Sequence, residues 1–298
     1  MSTVAVIAHS GKTLGGGLDA LRASLAHAGV DAPLWYEVPK SKKAPKKVAK
    51  ALEKGADLLF VWGGDGMVQR SIDAAAGSGA AIAIVPAGTA NLLATELGIP
   101  QDIDEAVAIG LHGRRRPLDL GTVNGEHFAV MAGTGFDARM IGDADKAMKR
   151  KVGKAAYLWT GAKNLRAGRT RMRIRVDGAD WFDGPASCVL AANVGTILGG
   201  IEAFPEAAPD DGVLEVGVVT AEGAVEWSRV LARMAAGKAE RSPMARTTAG
   251  RKIDVRLDDA QPWELDGGDR PKVKKLKIRV DHHAIEVCVP ETTEEVVS

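Results

Sequence analysis

The chain has 298 residues, of which 46% are hydrophobic and 26% are charged. This length suits two compact domains, and this composition excludes wholesale disorder and collagen-like repetition. The formal net charge of +1 gives no overall attraction to nucleic acid, which would have to come from local patches.

Short apolar runs alternate with helix-like segments through the N-terminal third of the chain. The predicted strands are Thr3–Ala8, Leu34–Val38, Asp57–Trp62 and Ala81–Val85, and the predicted helices are Leu18–Ala28, Pro45–Lys54, Met67–Ala76 and Asn91–Leu97. Nearly continuous apolar strands separated by amphipathic helices predict a parallel sheet covered on both faces. In that architecture ligands bind where the carboxyl ends of the strands meet the following loops.

Strand-like runs dominate the chain after about residue 116. Turn signals separate them at Asn124-Gly125, Asp177-Gly178 and Asp183-Gly184, and the first of these is a strong hairpin signal. Predicted helices interrupt the strands at Arg139–Arg166 and Ala221–Ala236, and the segment from Lys252 to Val289 predicts a series of short strands. We therefore predict an α/β domain over residues 1–116 and a β-rich domain over residues 117–288.

The N-terminal segment and the two cysteines bear on the compartment. The first residues, MSTVAVIAHSGK, lack the basic and long apolar regions of a secretory signal, and no apolar run reaches the length of a membrane-spanning helix. Cys188 and Cys288 each lie in an apolar, strand-like run, which favours two buried thiols in a reducing compartment over a disulfide. We therefore expect a cytoplasmic protein.

The clearest chemical signal is Gly63-Gly64-Asp65-Gly66, between an apolar strand and a predicted helix. Glycines there let the backbone turn sharply and present N–H groups to an anion at the helix N-terminus. The Asp65 carboxylate would repel a phosphate, but it suits a cation or a ribose hydroxyl. The alternative is a simple strand-to-helix turn.

Two further loops follow predicted strands. In Pro86–Asn91, Gly88 permits close approach, and Thr89 and Asn91 offer neutral donors to phosphate oxygens; Thr89 as a helix N-cap is the alternative. Ser10-Gly11 follows the first strand, and although it forms no P-loop motif, its position would let it close over the same nucleotide. Together the three loops predict a nucleotide site at one edge of the sheet.

The order of these motifs resembles the diacylglycerol kinase and sphingosine kinase catalytic family, in particular its soluble bacterial lipid kinases. The resemblance starts with GGDG and PAGTAN and continues with AGTGFD at Ala132–Asp137, KVGKAAYLWTGAKNL at Lys151–Leu165, APDDGVLEV at Ala208–Val216 and LDG at Leu265–Gly267. It implies an NAD-kinase-like α/β nucleotide domain, a β-sandwich-type second domain, and a return of residues 289–298 to the first domain.

The resemblance also implies roles for residues of the second domain. A Mg²⁺-type site would use the Asp211 carboxylate and the backbone carbonyls of Ala208 and Val213, although the same segment also fits a plain turn. Where the family has Asp-Gly-Glu, this chain has Asp266-Gly267-Gly268, so Asp266 becomes the first candidate for the proton acceptor and Asp269 the second. Methionine also replaces the family threonine at position 67.

The resemblance therefore implies a kinase that uses ATP and Mg²⁺ to phosphorylate a hydroxyl of a diacylglycerol-like lipid. The alternatives are an NAD-kinase-like enzyme and a catalytically degenerate nucleotide- or lipid-binding relic, which the changes at positions 67 and 268 would favour. Basic runs such as Lys40–Lys50 are solvated faces or a peripheral membrane-facing surface. We expect a lipid substrate at a membrane surface and no nucleic acid partner, because stacking aromatics are missing from these runs. A homodimer stays open.

Overall fold

The computed structural model describes residues 3–135, 169–197, 201–235 and 242–291. Contacts divide the chain into two compact units, one of residues up to Leu118 together with those from His283 onward, and one of Asp119–His282. The predicted domain bounds stay a prediction. The predicted helix Arg139–Arg166 and most of the predicted return segment 289–298 lie outside the described residues.

The first unit contains a parallel sheet. Its strands are β1 (Val4–His9), β2 (Leu34–Val38), β3 (Leu58–Gly63) and β4 (Ala81–Pro86). The strand order is β2-β1-β3-β4, and the end of the last strand of the chain, β16 (Gly268–Val289), pairs in parallel with β4. Every residue of β3 and β4 is buried, as expected for apolar strands covered on both faces. The four predicted strands are confirmed.

Five α-helices accompany this sheet in the described part of the first unit. They are α1 (Gly17–His27), α2 (Ala44–Glu53), α3 (Asp65–Ala75), α4 (Leu92–Glu96) and α5 (Ile103–His112), with short 3-10 turns at Leu14–Gly16 and Ser41–Lys43. Helices α1 to α4 were predicted. Helix α5 was not, although Asp102 caps it by accepting a hydrogen bond from the Glu105 N–H at 3.0 Å.

The second unit is built mainly from antiparallel strands. Its strands up to the middle of the unit are β5 (Arg114–Val123, which begins in the first unit), β6 (Glu126–Phe128), β7 (Met131–Thr134), β8 (Thr170–Val176), β9 (Ala179–Ala186) and β10 (Cys188–Ala192). They are followed by β11 (Thr196–Ile197), β12 (Ile201–Glu202), β13 (Leu214–Val219), helix α6 (Gly223–Ala235), β14 (Ala245–Gly250), β15 (Lys252–Leu265) and most of β16.

The strand order in the second unit is β14-β13-β10-β7-β15-β16, and the hairpin β8–β9 pairs with β15. Alternate residues of the strands point into one apolar core, such as Ile174 of β8, Val216 of β13 and Val255 of β15. This period of two is what a sheet with one buried face requires. Among the described residues no helix is both long enough and apolar enough to cross a membrane.

The hairpin turns explain where the strand predictions succeed. Asn124-Gly125 and Asp177-Gly178 connect β5 to β6 and β8 to β9, and all four residues have positive φ, which a two-residue turn of this kind requires. Asp266-Gly267 has the same conformation between β15 and β16. The predicted hairpin at Asn124-Gly125 is confirmed.

Two predictions for the second unit are wrong. Asp183-Gly184 lies inside β9 rather than at its end. The C-terminal segment forms two long strands of 14 and 22 residues instead of a series of short ones. His282 and His283 lie inside the longer strand. Register shifts between β15 and β16 interrupt the alternation without ending the strands, which explains why the sequence resembles several short strands.

Both cysteines are buried and free, as predicted. Burial, with a smaller effect from the charge of Glu264, raises the pKa of the Cys188 thiol to about 12. Burial also raises the pKa of Cys288. Because the thiolate is the reactive form, we expect neither cysteine of the native protein to react with Ellman's reagent at pH 8, and both to react after unfolding in guanidinium. Rapid labelling of the native protein would contradict this burial.

Candidate functional site

The first two glycine loops lie side by side because β3 and β4 are parallel neighbours that end in register, with Gly63 opposite Pro86. The Ala87 N–H donates to the Gly63 carbonyl at 2.8 Å. A Cβ atom on Gly64 would lie 2.9 Å from the Gly88 Cα atom, and one on Gly88 would lie 2.5 Å from the Gly64 Cα atom. The two loops therefore meet backbone to backbone, at a separation that only glycine at both positions allows.

Asp65 joins the two loops through its carboxylate. The oxygens accept hydrogen bonds from the backbone N–H groups of Asn91 at 3.0 Å and Leu92 at 2.6 Å, at the start of α4. The same residue begins α3. Asp65 therefore links the N-terminus of α3 to the N-terminus of α4. The sequence did not reveal this role. Its predicted contact with a nucleotide or Mg²⁺ stays a prediction.

Burial raises the pKa of Asp65 above the ordinary aspartate value. The hydrogen bonds from Leu92 and Asn91 and the positive charge of Lys12 oppose this shift, but burial is the larger effect. Because the folded state holds the proton more tightly than the unfolded state does, ionisation of Asp65 lowers the free energy of unfolding as the pH rises from its unfolded pKa through its folded one. The ionised carboxylate of Asp65 therefore lowers the stability of the folded protein, which favours a functional or organising role for this residue.

Asn91 organises the second loop from within. It has a positive φ of 49°, its Oδ1 atom accepts from the Gly88 N–H at 2.9 Å, and its Nδ2 atom donates to the Gly88 carbonyl at 3.0 Å. The Asn91 amide, which was predicted as a phosphate donor, and the Gly88 N–H are thus engaged inside the loop. Thr89 and Gly66 are exposed, which leaves them accessible to a ligand.

The third loop is held by its own strands. Ser10 donates to the Val38 carbonyl through its N–H at 3.0 Å and through its hydroxyl at 3.4 Å. The Gly11 N–H donates to His9 Nδ1 at 3.1 Å. The neighbouring Lys12 acts on the Asp65 carboxylate through its charge. Nucleotide contacts by Ser10 and Gly11 stay predictions.

Met67, where the family has threonine, is one of the largest fully buried side chains of the described chain. A Cβ atom on Gly63 would lie 2.5 Å from the Met67 Cβ and Cγ atoms, so the side chain packs tightly against that glycine. We expect Met67→Thr to lower the free energy of unfolding by about 1–3 kcal/mol without tightening ATP binding, because the new hydroxyl would enter the core. Thermal denaturation and equilibrium dialysis measure the two effects. Tighter ATP binding would show that the hydroxyl reaches the nucleotide.

In the second unit, the three predicted metal ligands lie in one turn before β13. Asp211 is exposed, and its Oδ1 atom accepts from the Val213 N–H at 3.0 Å. Burial raises the pKa of Glu215, and the negative charges of Asp211 and Glu206 raise it further. The Glu215 carboxylate therefore lies near two further negative charges, and a hard cation would stabilise such an environment. The residues present therefore fit a Mg²⁺ ion.

A buried carboxylate that the sequence analysis missed holds this turn. Asp119, which is fully buried, accepts from the Gly212 N–H and lies 2.7 Å from His282 Nδ1. Its own N–H donates to the Pro209 carbonyl at 2.7 Å, and its carbonyl accepts from Asn193 Nδ2 at 2.8 Å. The available signal was a single aspartate inside the apolar run PLDLGTV, since a charge in a buried strand needs partners.

Asp266, the first candidate for the proton acceptor, is buried in the turn between β15 and β16. Its two carboxylate oxygens accept hydrogen bonds of 2.9 Å from the backbone N–H groups of Ala129, Val130 and Met131. Its own N–H donates to the Met131 carbonyl. The carboxylate thus fixes the segment before β7. Proton transfer through Asp266 would compete with these three bonds, and the role stays a prediction.

Asp269 and Gly268 lie just beyond this turn. Asp269 is exposed and sits opposite Glu264 in the β15–β16 ladder. A Cβ atom on Gly268 would lie 2.9 Å from Arg270 Nη1, and Arg270 forms hydrogen bonds of 2.8 to 3.0 Å with Glu126. A glutamate side chain at position 268 would therefore meet the guanidinium group of Arg270, which is already paired with Glu126.

The structure therefore brings together two groups of predicted residues, each within one unit. Gly63–Gly66 and Gly88–Asn91 form one joined pair of loops in the first unit. Ala208, Asp211 and Val213 form one turn in the second unit, and Asp266 lies on a separate hairpin of that unit. Among the described residues, no hydrogen bond joins Ser10 or Gly11 to the other two loops.

Family models match both parts of the chain. Residues 3–123 match the diacylglycerol kinase catalytic domain, and residues 130–289 match the YegS C-terminal NAD kinase beta sandwich-like domain. The solved structure of a diacylglycerol kinase from Bacillus anthracis covers 97% of this chain and 97% of its own length, with a TM-score of 0.76 and 21% identity. An NAD kinase from Archaeoglobus fulgidus solved with ATP covers 97% and 94%, with a TM-score of 0.53 and 12% identity. Both show the fold alone, and the predicted NAD-kinase-like fold class is confirmed.

Curated relatives agree with this match. A protein of Pseudomonas aeruginosa named "Probable lipid kinase YegS-like" is 32% identical over 83% of this chain and 81% of its own length. One of the same name from Cronobacter sakazakii is 32% identical over 60% of this chain, which spans 62% of that relative. The diacylglycerol kinase of Bacillus subtilis is 27% identical over 71% of each chain. The chain therefore belongs to the lipid kinase family that comprises the YegS-like kinases and the bacterial diacylglycerol kinases.

Proposed function

We propose that the protein transfers the γ-phosphoryl group of ATP to a hydroxyl of a diacylglycerol-like lipid, with Mg²⁺ as the cofactor. The observation that carries this proposal is the backbone contact between Gly64 and Gly88 at the ends of two parallel strands. That contact places two glycine turns where α/β proteins bind ligands. Membership of the lipid kinase family supports the lipid acceptor.

The proposed nucleotide site uses the N-terminus of α3. The helix is 11 residues long, and its first turn includes the exposed Gly66, so its free N–H groups and its dipole favour a phosphate. The exposed Thr89 hydroxyl supplies a further donor from the second loop. In this proposal Asp65, Gly88 and Asn91 position the two loops, while Thr89 and the first turn of α3 contact the phosphates.

The proposed Mg²⁺ ligands are the Asp211 carboxylate and the carbonyls of Ala208 and Val213. The ion would neutralise phosphate charge, which is a large part of catalysis in phosphoryl transfer. Asp119 holds the turn by accepting from the Gly212 N–H, so that the Asp211 carboxylate stays exposed. Asp266 is the proposed acceptor of the hydroxyl proton, and Asp269 is the second choice.

We expect millimolar Mg²⁺ to raise the thermal midpoint of the protein, because an ion that binds only the folded state stabilises it. Asp211→Asn should abolish this rise, since it removes the one carboxylate among the proposed ligands. Asp210→Asn, in the same turn, is the matched control and should keep the rise. Differential scanning fluorimetry with Mg²⁺ against an equal ionic strength of Na⁺ makes the comparison. An unchanged rise in Asp211→Asn would remove this turn as the cation site.

The function is tested with γ-labelled ATP, Mg²⁺ and mixed micelles that contain diacylglycerol, a sphingoid base or no acceptor lipid, beside a reaction with NAD. Labelled phosphatidic acid would support the proposal. Label in the sphingoid base or in NAD would keep a kinase and change its acceptor. ATP binding without any labelled product would favour a catalytically degenerate binding protein. The changes at Met67 and Gly268 are consistent with that alternative.

A further inference from the structure

The outward face of strands β8, β15 and β16 is almost entirely charged. Burial alternates along β8, so that Arg171, Arg173 and Arg175 are exposed while the residues between them lie in the core. Register pairing places Arg256 of β15 directly opposite Arg173 on one side and Lys275 of β16 on the other. Three cations therefore stand in one row across three neighbouring strands.

This row costs the fold stability, because like charges directly opposite each other in a sheet repel. The carboxylates of the face relieve this repulsion only at Arg173, which pairs with Asp258. The other ion pairs of the face, Asp183–Arg171, Asp180–Arg175 and Asp254–Arg279, use arginines outside the row. Among the residues that the structure describes, Arg256, Lys275 and Lys277 take part in no ion pair. These three residues contribute unneutralised positive charge to the face.

The same residues line a groove of about 630 Å³ on this face, between the side chains of β8, β9, β15 and β16. The groove is lined by six basic and three acidic residues. Its basic residues outnumber its acidic ones, so the groove attracts anions. Its one aromatic lining residue is the half-buried Phe182. A surface that stacks nucleic acid bases would need several accessible aromatics, so this face fits phosphate groups better than bases.

We propose that this face, defined by Arg256, Lys275 and Lys277 with the ion-paired arginines around them, binds the anionic phospholipid surface of a bilayer. The choice of a bilayer as the partner rests on the proposed lipid substrate, since a kinase for a diacylglycerol-like lipid must reach it there. The argument that this face attracts an anionic surface depends only on the strand register and on the ion pairs, and not on the proposed function. Lysine and arginine side chains close to an anionic membrane each contribute about five-fold in affinity.

The test is co-sedimentation of the protein, without ATP, with vesicles of phosphatidylcholine alone or of phosphatidylcholine mixed with the anionic lipid phosphatidylglycerol. We expect binding only to the anionic vesicles, and a loss of about 100-fold in the variant with Arg256→Gln, Lys275→Gln and Lys277→Gln. The matched control removes three exposed lysines of the first unit, with Lys43→Gln, Lys46→Gln and Lys50→Gln.

The outcomes separate cleanly. Loss in the first variant alone supports the proposal, and equal loss in both, or loss in the control alone, overturns it. Duplex DNA that binds the wild type and not the first variant, with vesicle binding unchanged, would identify nucleic acid as the partner and also overturn it. Circular dichroism checks folding, and we expect no lower thermal midpoint because the substitutions remove repulsion. Vesicle binding needs no turnover, so a failure of the kinase assay leaves this result readable.

Discussion

Replacing Gly88 with alanine is expected to lower lipid phosphorylation by about 100-fold, because displacing a positioning loop by about 1 Å can cost that much. The added Cβ atom would lie 2.5 Å from the Gly64 Cα atom and 2.6 Å from Asn91 Oδ1. The backbone of the neighbouring loop cannot move aside as the end of a flexible side chain could. The loops must separate, and the hydrogen bonds of Asp65 to Asn91 and Leu92 must lengthen.

The comparison variant for this substitution is Gly66→Ala in the same turn. Its Cβ atom would meet nothing closer than Ser41 Oγ at 3.6 Å, which is ordinary contact. We expect Gly88→Ala to lower the free energy of unfolding by about 1–3 kcal/mol and Gly66→Ala to leave it nearly unchanged. Urea denaturation measures both, and initial rates with diacylglycerol micelles measure activity. Full activity in Gly88→Ala would show that the close contact of the loops is unnecessary.

The second large effect is expected at Asp266, where two substitutions separate structure from chemistry. Asp266→Ala removes every acceptor of the three N–H groups of Ala129, Val130 and Met131. Each buried group left without a partner costs about 1–3 kcal/mol, and alanine is strained at the positive φ of 44°. We therefore expect this variant to lose several kcal/mol of stability, or to fail to fold, as measured by urea denaturation.

Asp266→Asn is the milder change. Asparagine is favoured at the first position of this kind of turn, and its Oδ1 atom can keep the bonds to Val130 and Met131. The bond from the Ala129 N–H is lost, because the NH2 group of asparagine would face this N–H and both groups are donors. Assayed well below its thermal midpoint, this variant tests the proton acceptor. Loss of turnover with ATP binding intact supports Asp266, whereas retained turnover makes Asp269 the residue to change next.

The fold of the first unit could be predicted because its signals are local. A buried parallel strand is a continuous apolar run, and the glycine turns and helices that follow each run repeat the same pattern. The second unit was harder. Its long strands carry register shifts, such as the one between Arg256 and Gln261, and each shift interrupts the alternation that identifies a strand.

The site could be predicted as a set of residues but not as a set of contacts. Gly64, Asp65, Gly88 and Asn91 were each identified, yet the pairing of Asp65 with the N–H groups of Asn91 and Leu92 joins residues far apart in the sequence. Nothing local indicates which backbone group a carboxylate will meet. Asp119 and Asp266 show the same limit, because the partners of both are supplied by distant segments.

The pairing of β16 with β4 has a consequence for synthesis on the ribosome. Glu286 and Val287 pair with Ala81 and Ile82, about 200 residues earlier in the chain. At elongation rates of about 5–20 residues per second, the edge of β4 stays without this neighbour for about 10 to 40 seconds after it has been made. An open strand edge of buried, apolar residues is a template for association with other chains. The nascent protein is therefore expected to depend on chaperones most during this interval, and nonsense mutations late in the gene should give insoluble products rather than a folded first unit.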